Sequence, residues 1–73
     1  MRRMSLEEEK ACRIMASARL ADGEHADDTT PAIARYLVAK GWSGKAAQGR
    51  ATDLVREELA RKDGIAGAGA TYI

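Results

Sequence analysis

Ser43, Lys45, Gln48, Arg50, Thr52 and Arg56 place a cluster of hydrogen-bond donors in one short stretch of the chain. Lysine and arginine neutralise phosphates or donate to guanine, glutamine pairs with adenine, and serine and threonine contact either. Lys45, Gly49, Thr52 and Arg56 recur at steps of four, three and four, which places them along one side of a helix. The segment "DGEHADD" gathers Asp22, Glu24, His25, Asp27 and Asp28, oxygen and nitrogen donors suited to a hard cation. It lacks the glycine and the distal glutamate at calcium-loop spacing, so a solvated acidic segment with no bound metal is expected and His25 is read as exposed. Cys12 has no histidine or other base at a telling spacing and is expected to be a small buried side chain.

Nothing in the chain points to catalysis. It has no glycine-rich phosphate loop followed by lysine, no nucleophile elbow and a single histidine. The expectation is a non-enzymatic protein that needs no cofactor. With 73 residues it forms one domain too small for a deep core. Twelve Lys and Arg against 11 Asp and Glu give a formal net charge of +1. Any nucleic-acid contact must therefore come from a local patch and not from a basic coat. A single cysteine excludes an intrachain disulfide and suits a reducing cytoplasm. The opening "MRRMSLEEEK" carries acids where a signal peptide would be apolar, and no apolar run reaches membrane-span length.

The elements that must position these groups are readable from their caps, and the fold class expected is all-α. Ser5 followed by Glu8 has capping-box spacing, and Glu7, Glu8 and Glu9 favour the positive end of a helix dipole. Helix 1 is expected over residues 6 to 20 or 21, ending near Gly23. On its wheel Ala11, Ile14, Met15 and Ala18 share one broad face that packs on the rest of the chain, and Leu6 and Leu20 fall nearly opposite, as half-buried leucines or as a contact with a second subunit. The polar run at 21–30 is expected to be a loop, with Thr30 capping a helix that begins at Pro31 and runs over 31–40. Ile33, Tyr36 and Leu37 form its inward stripe. Gly41 ends it in a left-handed conformation while Trp42 folds back on Leu37.

Ser43 caps helix 3, expected to reach Lys62 before Gly64 stops it. Ala47, Ala51, Leu54, Val55 and Leu59 make its inward stripe, with Trp42 stapled onto Ala47. Glu57 with Arg61 is an i,i+4 pair on its flank. Residues 1–64 thus form a three-helix domain. Residues 65–73 form a Gly/Ala-rich tail, flexible or ordered by a partner, because its glycines disfavour a helix.

The succession of helix, short helix, tight glycine turn and helix over residues 30–65 resembles the helix-turn-helix family. "LVREELARKDGI" looks like the closing turn and Gly-Ile that lead into the wing of winged-helix proteins. The resemblance implies a transcriptional regulator in which helix 3 reads DNA through Ser43, Lys45, Gln48, Arg50, Thr52 and Arg56, acting as a dimer in the cytoplasm. Leu37, Lys40 and Arg50 depart from the family pattern, which has a small, an apolar and a buried residue there, and imply a wider turn. The wing segment carries no basic residue.

A second reading is open. Near-neutral charge, the acids Asp27 and Asp28, apolar Leu6 and Leu20 away from the inward face, and a tail ending in Tyr72 and Ile73 would suit a protein-binding module. Such a module, bacterial or from a phage, would mask a surface of a larger protein, its tail adding a strand to the partner's sheet.

Overall fold

The computed structural model describes the backbone of residues 3–71, and side chains as far as Lys62. It contains three helices: α1 (Leu6–Ala21), α2 (Ala26–Ala39) and α3 (Gly44–Thr71), with no strand among the described residues. No described helix is long and apolar enough to cross a membrane.

The helix ends follow the local chemistry closely. The Ser5 hydroxyl accepts from the Glu8 N–H at 3.1 Å, and the Glu8 carboxylate accepts from the Ser5 N–H at 3.1 Å, completing the capping box. Gly41, at φ +99°, ends α2. Its N–H donates to the Val38 carbonyl at 2.9 Å, and the Trp42 N–H donates to the Leu37 carbonyl at 3.0 Å, the paired bonds of a Schellman motif. Gly23, at φ +89°, closes α1 in the same way through Leu20 and Arg19. Ser43 accepts from the Ala46 N–H at 3.2 Å and so caps α3.

Three boundaries or faces differ from expectation. First, α2 begins at Ala26, with Pro31 as its sixth residue. Asp27 and Asp28 in the first turn complement the dipole, the Thr30 hydroxyl donates back to the Ala26 carbonyl at 2.9 Å, and the single Thr29 hydroxyl proton is shared between the His25 carbonyl at 3.0 Å and Glu24 Oε1 at 2.9 Å. Proline keeps a helical φ, so at this depth it removes one backbone bond without ending the helix.

Second, α3 does not stop at Gly64 but continues to Thr71. A helical glycine costs about 1 kcal/mol relative to alanine, and the intervening alanines are the best helix formers. Tyr72 and Ile73 lie outside the described residues.

Third, α1 presents Glu8, Cys12 and Ala16 inward, whereas Ile14 is 59% exposed and Ala18 is exposed. Leu20, nearly opposite Ala11, Met15 and Ala18 on the wheel, is half-buried and packs against the core with Met4 and Met15, as a half-buried leucine on a small domain should.

The core consists of Cys12 and Ala16 from α1, Ile33, Ala34 and Leu37 from α2, Trp42 from the corner, and Ala47, Ala51, Leu54 and Val55 from α3. The alanines let the helices approach closely, and α2 packs most extensively on α3. Leu59, expected in this stripe, is 38% exposed, and Glu58 is buried instead.

Candidate nucleic-acid interface

The α2–α3 corner is held by Trp42 from two sides. Its backbone closes the Schellman motif, and its indole N–H donates to Glu8 Oε2 at 3.2 Å across the interior. One carboxylate thereby caps α1 and bonds the indole that orients α3. The capping box could be read from local spacing. The partner of the second oxygen could not, because it lies 34 residues away.

One exposed ion pair ties α1 to the flank of α3, and others act within each helix. Arg13 bonds Glu9 on its own helix and Glu57 on α3, both at 3.0 Å. Arg61 pairs with Glu58, so the expected Glu57–Arg61 pair is replaced by two others. A helix wheel allows both i,i+3 and i,i+4 partners for Arg61, and the approach of α1 decides between them. The Glu58 carboxyl is held below its ordinary value chiefly by the Arg61 hydrogen bond, with burial opposing and Ser17 of α1 adding a hydrogen bond. Glu57 and Glu58 are therefore both engaged within the fold.

The outer side of α3 is left open. Lys45, Gln48 and Arg56 are exposed, and Thr52 is half-buried with its hydroxyl donated to the Gln48 carbonyl at 2.9 Å. Neither Lys45 nor Arg56 enters an ion pair among the described residues. A Cβ built on Gly49 would meet nothing within 4 Å, so no packing inside the fold requires glycine in the middle of this row. Ser43 is exposed, with its oxygen occupied by the cap.

Arg50 is the exception among the expected contact residues. Six residues from Arg56, it lies about 120° around the helix. It is half-buried and lines a cleft between the start of α1 and α3, together with Arg3, Glu9, Trp42, Ala46 and Asp53. Its charge also reaches the interior. Burial pushes the Cys12 thiol up, the Glu8 carboxylate adds to that, and Arg50 opposes it. Cys12 is fully buried, as expected of a packing residue.

Of the residues of the second reading, Asp27, Asp28, Leu6 and Leu20 are described and Tyr72 and Ile73 lie outside the described residues. Asp27 and Asp28 are exposed on the first turn of α2, Leu20 packs against the core, and Leu6 is 84% exposed at the start of α1. Leu6 instead shares an outer surface with Ile14, flanked by Lys10 and Arg13. In the acidic segment Glu24 is committed to Arg19, at 3.0 Å, and to the Thr29 hydroxyl, at 2.9 Å. No group of three or more metal-ligating side chains assembles among the described residues.

No protein-family model matches the chain, and no curated protein or solved structure is significantly similar to it.

Proposed function

We propose that the protein is a small non-enzymatic DNA-binding regulator that presents α3 to the major groove and works as a cytoplasmic dimer. The observation that carries this reading is the open row of Lys45, Gln48, Gly49, Thr52 and Arg56, whose two cations have no ion-pair partner among the described residues. An exposed glycine inside a helix lowers stability and here serves no internal contact; it gives a ligand backbone close access. Lys45 and Arg56 supply phosphate or guanine contacts, and Gln48 supplies a bidentate amide for adenine. A single helix covers few base pairs, so two linked copies are needed for useful affinity.

Paired substitutions test the division of labour. Gln48→Ala should change the order of preferred sequences at nearly constant salt dependence. Lys45→Ala should weaken all sequences alike and reduce the salt slope by about one. Identical behaviour of the two variants on every duplex would contradict sequence reading by this row.

One observation favours a second reading. Leu6 and Ile14, exposed on the same side of α1, form an apolar surface that a protein partner would cover, while Asp27 and Asp28 offer acids to a basic one. Under that reading the protein masks a surface of a larger protein, and charge reversal at Asp27 and Asp28 abolishes the complex.

A further inference from the structure

The placement of Arg50 leaves a charge that neither the core nor the reading row uses. It is half-buried beside Trp42, yet it enters no ion pair among the described residues. Arg3 lines the same cleft from the α1 side, and Glu9 and Asp53 supply the opposing charges. Glu9 is bonded to Arg13 at 3.0 Å, a guanidinium it shares with Glu57, and Asp53 is the other acid of the cleft. The cleft is open to solvent, with a volume of about 540 Å³, so a ligand group can enter it without rearranging the helices.

From this we infer that the α1–α3 cleft is a phosphate site, taking one backbone phosphate of a nucleic acid that lies along α3, with Arg50 as its main donor and Arg3 as the second. This rests on the DNA-binding reading of α3. A helix about 10–12 Å across fills a major groove about 12 Å wide, so a sugar–phosphate strand runs along each side of it. The cleft lies on the α1 side of α3, where one of those strands would pass. A guanidinium presents a planar fork that matches two phosphate oxygens, and partial burial lowers the competing hydration. The contact positions the helix and carries no base information. Asp53 weakens the site by its charge, so its removal strengthens binding.

The chain has one tryptophan, Trp42, and it lines the cleft, so occupancy of the site is readable from intrinsic fluorescence. The experiment titrates the protein into a labelled duplex over a range of salt concentrations, following duplex anisotropy, and titrates unlabelled duplex into a fixed concentration of protein, following Trp42 emission. Inorganic pyrophosphate serves as a separate titrant against the protein. The parent should give the same dissociation constant from both signals. Arg50→Ala should weaken binding about tenfold on every duplex, with the salt slope shallower by about one. Arg50→Lys should fall between the two, and Asp53→Asn should bind more tightly than the parent. Helical content by circular dichroism shows whether Arg50→Ala has folded; the Arg50→Lys and Asp53→Asn results decide the matter if it has not. Duplex binding by the parent that is unchanged in all three variants would overturn the cleft assignment while leaving the DNA reading intact. No duplex binding by the parent would overturn the reading beneath it. An emission change with pyrophosphate but not with duplex would make the cleft a free-anion site and overturn the backbone assignment.

Discussion

Glu8 and Trp42 show how much of this small fold rests on single side chains. The Glu8 carboxylate caps α1 through one oxygen and accepts the indole N–H through the other. Trp42 is 7% exposed and is the largest side chain of the corner. Trp42→Ala should destabilise by about 3–5 kcal/mol, combining a cavity with the loss of a donor to a buried carboxylate. A denaturant midpoint close to that of the parent would contradict its anchoring role. Glu8→Ala should cost about 2 kcal/mol or more, since a cap and the partner of a buried N–H go together.

Glu58 provides a pH signature. Its folded-state value is lowered from the ordinary 4.5, so its contribution is present above that value and is lost as pH falls through the lowered one. The melting temperature of the parent should therefore fall more steeply on acidification than that of Glu58→Gln. Parallel curves for the two proteins would show that the carboxylate is not stabilised in the fold.

At the scale of elements, what could be read in advance was local. Ser5 with Glu8, Ser43, Gly23 and Gly41 each act within a few residues of where they stand: the serines begin helices and the glycines end them, as their types require. The inward face of α1 was not legible. Ile14 outweighs Cys12 and Ala16 on any hydrophobicity scale, yet small side chains and a hydrogen-bonded glutamate allow the closer approach. The same limit explains Arg50. Its presence in the contact segment was plain, but only the packing of α1 on α3 turns it into the cleft. The start of α2 is not legible from Pro31, whose fixed φ suits a first helical residue, because the two threonines ahead of it bond back along the helix and carry it further upstream.

Two glycines test this level. Gly41→Ala should destabilise by about 1–2 kcal/mol, because φ +99° is costly for any residue with a Cβ. Gly49→Ala should stabilise by up to about 1 kcal/mol, since the added methyl meets nothing and improves helix propensity. If Gly49 serves close approach to a ligand, the same variant binds DNA more weakly while melting at a higher temperature. Equal binding would remove that role.

For the molecule as a whole, a net charge of +1 means that affinity depends on where the cations sit and not on their number. The pairing of Arg13 with Glu57 and of Arg61 with Glu58 engages those acids within the fold, and Lys45 and Arg56 face outward. Replacing Lys45 and Arg56 together by alanine should leave the helical fold intact and flatten the salt slope by about two. The most direct measurement is a mobility-shift titration of the parent protein against fragments of its own genome at moderate salt. The DNA reading predicts that a small set of fragments is retarded at concentrations well below those that shift the remainder. Uniform, nonspecific retardation of every fragment, or none at all, would contradict it and leave the protein-partner reading in its place.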